Sequence, residues 1–327
     1  MNGKGTDERM MRRCIELALC GREESRPNPM VGAVICLPPT PSNPEGRIIG
    51  EGYHVRCGEG HAEVNAFASV KPEDEAFLKE ATIYVSLEPC AHYGKTPPCC
   101  DLIISKGVKR VVVGCVDPFS KVQGRGIQRI REAGIEVTVG VLEEECRWLN
   151  RRFFTFHEKH RPYIILKWAQ TADGFLDDHG RALAISTPLT KMMVHKLRAE
   201  EDAILVGRTT WERERPRLDV REWSGRNPFR ICLSSSSVQK EEGVLFVKNI
   251  EEALQACYER QLQSLIVEGG GSTLQSFLDA GLWDEIRIET APELTVGGGT
   301  PAPLLPPLVS PTLLDGHSIT TYLKGTG

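Results

Sequence analysis

No apolar run in this sequence approaches the roughly 18 residues that span a bilayer as a helix, so a helical membrane anchor is not expected. Positive charge is not in excess either. The 40 Lys and Arg stand against 44 Asp and Glu, for a net charge of −4. Strand-binding proteins concentrate Lys and Arg on one face, so this balance gives no support to a nucleic-acid partner. The opening MNGKGTDERMMRRC has no apolar h-region of the kind a secretory signal needs, and a cytoplasmic location is expected. No internal repeat is visible. What the chain does have is cysteine, 11 in 327 residues. In a reducing compartment, close cysteines indicate metal binding or catalysis rather than a disulfide scaffold.

The length suits two domains. Residues 7–20 place apolar side chains at helical spacing, and 30–36 and 47–54 read as paired strands around a proline-rich loop. A helix over 61–70, a strand over 82–90 and a helix over 100–107 follow. The strand over 108–116 is almost continuously apolar, which suits burial on both faces. A helix over 126–134 and a strand over 135–141 end the first pattern. Residues 145–160, basic and aromatic, read as one connecting helix. The alternation then restarts, with strands at 163–171, 203–207, 229–234, 264–269 and 285–292, helices at 187–199, 251–263 and 272–280, and a last strand near 318–325. Strands alternating with helices predict two α/β units with largely parallel sheets between helices. The expected bounds are 1–146 and 161–327, with 147–160 as linker.

The chemistry concentrates in HAE (61–63) and LEPCAHYGKTPPCC (87–100). One imidazole and two thiolates leave the fourth position of tetrahedral Zn²⁺ free for water, the arrangement of catalytic rather than structural zinc. A carboxylate beside such a site can carry the proton from that water to a leaving amine. His-x-Glu followed by Pro-Cys and a further Cys is the pattern of zinc deaminases. Residues two apart inside a helix point to nearly opposite sides, so His61 and Glu63 can serve one site only at the mouth of a helix. Cys99 and Cys100 differ by about 100° if both are helical, so only one can face the metal. A closed structural site would need a fourth ligand, from His92 or Cys100.

The blocks RPNPMVGAVI, GEGYH, HAEV, LEPCAHYGKTPPCC and DPFSKVQGRGIQRIREAGIEV together resemble the deaminase domain of the bifunctional riboflavin-biosynthesis deaminase–reductase family, over residues 7–141. The long Pro-Cys-x₈-Cys spacing separates that family from cytidine and tRNA adenosine deaminases. The resemblance implies a cytidine-deaminase-like three-layer domain in which His61, Cys90 and Cys99 hold zinc and Glu63 shuttles protons. It also implies that Asn28 and His54 contact a phosphorylated diaminopyrimidine, and that Lys95 meets its phosphate.

The second half resembles the family's dihydrofolate-reductase-like domain through LKWAQTADG, HKLRAEEDAILVGRTT, PRLDVR, IVEGGGSTLQSFLDAGLWDEI and TAPELTVGGG. The glycine-rich EGGGSTLQSFL is a strand, turn and helix start that suits phosphate, although G-x-G-x-x-G is absent. The resemblance implies substrate contacts from Lys167, Arg198, Leu218, Arg221 and Glu268. It places Ala169, Thr210, Glu214, Ser235, Gly270, Gly271, Ser272 and Thr273 around NADPH, and it implies a homodimer or homotetramer. The chain departs from the family where Ala182 and Ala184 replace a Ser and a Trp, where Glu214-Arg215 replace Asp-Asp, and at Ser234. A deaminase with a degenerate reductase domain is therefore the first competing reading. A nucleic-acid (tRNA) deaminase and a non-enzymatic zinc-stapled module are the others.

Overall fold

The computed structural model describes residues 3–93, 97–119, 123–236, 241–305 and 312–325. The chain divides into two compact units, Met1–Lys159 and His160–Gly327. None of the described helices is long and apolar enough to cross a membrane.

The first unit runs α1 (Gly3–Leu19), β1 (Gly32–Leu37), β2 (Arg47–Tyr53), α2 (Ala62–Ala68), a 3₁₀ helix (Pro72–Glu80), β3 (Thr82–Leu87), α3 (Cys99–Lys106), β4 (Arg110–Cys115), α4 (Arg125–Glu132), β5 (Glu136–Val139), α5 (Glu143–Leu149) and α6 (Arg151–Lys159). Its sheet has the order β2-β1-β3-β4-β5. The ladders β3/β4 and β4/β5 are parallel, as expected, but β1 pairs antiparallel with both β2 and β3. A loop of nine residues joins β1 to β2 as a hairpin, and a loop that short cannot make a parallel crossover. Alternation along each strand sends side chains to opposite faces. Ala33, Ile35, Ile83, Val85, Val111 and Val113 pack with α2, α3 and α4. Val34, Tyr84, Val112 and Cys115 pack with Met10, Met11 and Cys14 of α1 and with Cys146, Phe153 and Phe154. The result is a three-layer α/β/α unit. Gly52 lets α2 approach: a Cβ there would lie 2.3 Å from Ala66 N and 2.6 Å from Ala62 O.

The stretch 145–160 differs from the single helix expected. It breaks at Asn150, whose side chain accepts from Met30 N and donates to Met30 O, both at 2.8 Å. Those two bonds compete with helix continuation, and the chain turns so that Phe153 and Phe154 enter the first core. The 3₁₀ helix was also not expected.

The second unit runs β6 (Tyr163–Thr171), α7 (Pro188–Glu200), β7 (Ala203–Gly207), α8 (Arg208–Glu214), β8 (Phe229–Leu233), β9 (Val244–Val247), α9 (Ile250–Glu259), β10 (Ser264–Val267), α10 (Gly271–Asp279), β11 (Glu285–Ala291), β12 (Thr312–Leu314) and β13 (His317–Leu323). The sheet order is β12-β13-β11-β6-β10-β7-β8-β9. The strands are parallel from β11 to β9, and the β12–β13 hairpin adds antiparallel strands at the β11 edge. One face buries Ile164, Leu166 and Trp168 against α9 and α10; the other buries Ile165, Ile204 and Val206 against Leu197 of α7 and Trp211 of α8. The short elements α8, β9 and β12 were not anticipated. None exceeds seven residues, too few to show a period.

Candidate functional site

In the first unit, His61 is the N-cap of α2, with extended φ and ψ of −70° and 167°, and Glu63 lies in the first helical turn. Their spacing therefore works at the helix mouth, where the chain leaves the straight 100° progression. Pro98 caps α3, and Cys99 is its first residue. His61 Nδ1 lies 3.6 Å from Cys90 Sγ and 3.3 Å from Cys99 Sγ, and the three donor atoms fall within 4.8 Å of one another. Ligands about 2.0–2.3 Å from a tetrahedral ion would be separated by such distances. Among the described residues this is the group able to hold a metal. Cys100 instead turns into the core beside Ile103, and His92 is exposed, so neither closes the set.

The Cys99 backbone N–H donates to Cys90 Sγ at 3.3 Å, and the pairing with Cys99 and His61 draws Cys90 down, while the pairing with Cys90 and burial push Cys99 up. Glu63 is 3 % exposed, and burial raises its carboxyl to about 7. A dication beside it would act in the opposite direction. His54 Nδ1 lies 3.2 Å from the Gly60 carbonyl and must donate to it, which leaves Nε2 to accept from Asn28 Nδ2 at 3.1 Å. Burial holds His54 below the ordinary imidazole value, so it is neutral at pH 7. Its ring meets His61 edge-on at 5.3 Å. Asn28, His54, His61, Glu63, Cys90 and Cys99 thus converge. Lys95 lies outside the described residues.

Glu88 was not foreseen. It is buried at the end of β3, two residues before Cys90. Its Oε1 accepts from Gly126 N and Ile127 N at 3.0 and 3.3 Å, and its Oε2 from Gly124 N and Asp117 N at 2.9 and 3.3 Å. Asp117, Gly124 and the first turn of α4 are thereby tied to the segment after β3 that carries Cys90. Gly126 fits against it because a Cβ there would lie 1.9 Å from Pro89 O. An acidic residue directly after an apolar strand was the available signal.

In the second unit, a cavity of about 650 Å³ opens at the carboxyl ends of β6 and β10. Lys167, Ala169, Thr210, Glu214, Glu268, Gly270, Gly271 and Ser272 line it, with Trp168, Asp177, Arg213 and Ser186. An adjoining space of about 560 Å³ is lined by Thr210, Ser235, Gly270, Ser272 and Thr273, with Arg208 and Lys248. Leu218, Arg198 and Arg221 do not line either space. Leu218 is buried with Ile204 and Trp211. Arg198 grips Glu268 through two bonds of 2.6 and 3.2 Å, and Arg221 donates to Asp219 at 2.6 Å. Burial alone would raise the Glu268 carboxyl, but the charges of Arg198 and Lys167 hold it below its ordinary value. Of the two alanine departures, Ala182 lines the cavity and Ala184 does not; Leu183 and Ile185 supply an apolar wall beside it. Asp177 ties that wall to Thr300, accepting from its N at 2.9 Å and its Oγ1 at 2.6 Å.

A three-donor pocket with a carboxylate at a helix mouth, joined in one chain to a second α/β unit with a nucleotide-sized cleft, defines a zinc deaminase fused to a reductase. Residues 4–115 match the family model of the cytidine and deoxycytidylate deaminase zinc-binding region, and residues 162–326 match that of the RibD C-terminal domain. The riboflavin biosynthesis protein RibD of Aquifex aeolicus is 39 % identical over 322 residues, covering 88 % of this chain and 87 % of its own length. That of Escherichia coli K12 is 35 % identical over 335 residues, covering 88 % of each. The crystal structure of a diaminohydroxyphosphoribosylaminopyrimidine deaminase/5-amino-6-(5-phosphoribosylamino)uracil reductase from Thermotoga maritima superposes with a TM-score of 0.84 at 34 % identity, covering 98 % of this chain and 99 % of that one. The chain belongs to the RibD family of bifunctional riboflavin-biosynthesis enzymes.

Proposed function

We propose that the first unit replaces the 2-amino group of 2,5-diamino-6-ribosylamino-4(3H)-pyrimidinone 5′-phosphate by oxygen, releasing ammonia. The second unit then reduces the ribosyl group of 5-amino-6-(5-phosphoribosylamino)uracil to a ribityl chain with NADPH. One observation carries the reading: His61, Cys90 and Cys99 converge beside Glu63 in a chain whose other half is a RibD reductase domain. Zinc held by these three residues supplies water acidified enough to attack at neutral pH. Glu63 takes the proton from the attacking water and passes it to the departing amino nitrogen, a role suited to a buried carboxylate in the first turn of the helix that His61 caps. His54 contacts the pyrimidine with its ring and orients Asn28, whose Oδ1 and second N–H offer it an acceptor and a donor, and Lys95 meets the phosphate.

In the second unit, Ala169, Thr210, Glu214, Ser235 and Gly270 to Thr273 would hold NADPH, which would supply the hydride. Lys167 and Glu268 face the substrate. Arg198 acts on Glu268; Arg221 holds Asp219, and Leu218 packs in the core with Ile204 and Trp211. We assign deamination to residues 1–146 and reduction to residues 161–327, with 147–160 completing the first core. We further assign a homodimer or homotetramer in the cytoplasm.

The test is incubation of the zinc-loaded chain with the diaminopyrimidine, with NADPH, NADH or neither, following ammonia and nicotinamide absorbance together. Ammonia in every arm, with oxidation faster for NADPH than NADH, is the expected result. No ammonia overturns the first assignment; ammonia without oxidation overturns the second.

A further inference from the structure

Behind the wall of the reductase cleft lies a carboxylate that does not line the cavity. Glu289 of β11 is 4 % exposed. It accepts from Ser186 Oγ at 2.6 Å, from Thr190 Oγ1 of α7 at 2.6 Å and from His317 Nδ1 of β13 at 2.7 Å. Two segments distant in sequence, 186–190 and β13, are thus pinned to one side chain, and the first, through Ser186, forms part of the cavity.

The strand register shows what its charge faces. Arg287 lies opposite Lys167 on β6, and Glu289 lies opposite Ala169. Residues two apart on a strand share a face, so Lys167, Ala169 and Glu289 project to the same side. On the other flank of β6, Leu166 lies opposite Val267 of β10, which brings Glu268 beside Lys167. Lys167 therefore has Glu268 beside it towards β10, Arg287 directly across on β11, and Glu289 two residues further along the same face, across from the methyl of Ala169; Arg287 itself donates to Glu285. The electrostatics agree. Burial alone would raise both carboxyls, yet both are held below their ordinary values. Lys167 contributes to each, beside Arg198 for Glu268 and beside Ser186, Thr190 and His317 for Glu289.

We infer that Glu289 is a positioning residue of the reductase: it anchors the Ser186 wall of the cleft and, on the Lys167 face of the neighbouring strand, adds its charge to that of Glu268 around the ammonium. The inference rests on the cleft being the site of reduction. Glu268 is engaged by Arg198, and Glu289 completes the anionic bed from the far strand. The hydroxyl donors Ser186 and Thr190 keep that carboxylate ionised within the core.

The test compares Glu289→Gln and Glu289→Asp in the full-length, zinc-loaded chain. Glu289→Gln keeps the shape and loses the charge; Glu289→Asp keeps the charge on a shorter arm. Expected is a fall of about tenfold or more in the reductase kcat for Glu289→Gln, with a smaller loss for Glu289→Asp. Ammonia release by the first unit should be the same in all three proteins. A double-mutant cycle carries the mechanism: in a Lys167→Met background, Glu289→Gln should cause no further loss of affinity for the deaminated pyrimidine, measured by equilibrium dialysis. Thermal unfolding reports the fold; if Glu289→Gln does not fold, Glu289→Asp carries the cycle in its place, with the same expectation. Equal rates for wild type and Glu289→Gln, a better rate for Gln than for Asp, or an undiminished effect without Lys167 overturns the inference. Wild-type chain that releases ammonia but oxidises no NADPH removes the reductase reading itself, a distinct outcome.

Discussion

Replacing Glu88 by glutamine exchanges one carboxylate oxygen for an amide NH₂ and changes almost no volume. The carboxylate serves four backbone donors in two pairs, Gly126 and Ile127 on one oxygen and Gly124 and Asp117 on the other. Whichever way the amide turns, its NH₂ faces two N–H groups and can accept from neither. Two buried donors lose their partner, at about 1–3 kcal/mol each, so the cost is about 2–6 kcal/mol. For a unit of this size each kcal/mol lowers the melting temperature by about 2–4 °C, so the first transition should fall by roughly 4 °C or more. The loss should also reach the metal, because the loop that Glu88 holds packs Gly126 on Pro89, next to Cys90. Thermal unfolding of the zinc-loaded chain, with released zinc followed by a chromophoric chelator, reads both effects. A Glu88→Gln protein that melts within about 1 °C of wild type and keeps its zinc would refute the reasoning.

Glu63→Gln should bind zinc in the wild-type ratio and lose about 10²–10⁴-fold in ammonia release, the usual contribution of a positioned acid–base group; activity within tenfold of wild type would contradict the role. Cys99→Ser should lose zinc, whereas Cys100→Ser, altering a core side chain that faces away from the donor group, should keep it; metal analysis of the two purified variants decides between them. Acid should weaken the second unit. The folded carboxyls of Glu268 and Glu289 lie below their ordinary value of 4.5, so the unfolded chain binds protons first as pH falls. Their contribution is complete above that value and is lost as pH drops through the lower folded values. Urea midpoints should fall between about pH 5.5 and 3.5, and more shallowly for Glu268→Gln than for wild type.

The metal site was legible because its information is local. His61 and Glu63 are neighbours in sequence, and proline and glycine mark the helix starts that make the spacing work. The choice between Cys99 and Cys100 was not local: it depends on which side of α3 meets the sheet, and the core took Cys100. The two units and most strands followed from apolar periodicity. The antiparallel β1/β3 pairing did not, because alternation shows that a strand is half-buried but not which way its neighbour runs. Asn150 escaped notice for a related reason: a polar residue inside a helical pattern looks neutral until the backbone at Met30 arrives to bond it.

The reductase cleft shows the limit most clearly. Lys167 lies on β6, whereas Glu268, just after β10, and Glu289, on β11, come about a hundred residues or more later. They become neighbours only through the order β11-β6-β10, in which strands distant in sequence lie side by side. The family resemblance implied that Arg198 and Arg221 bind substrate, and each is already engaged by a carboxylate, Glu268 and Asp219. A guanidinium so held contributes by fixing its partner, and a carboxylate so fixed can in turn fix a lysine. Along the chain an arginine that binds phosphate and one that orients an acid are the same letter. Only the sheet order separates them, and it puts Glu289, an unremarked position in the strand EIRIETA, on the face of the sheet that carries Lys167.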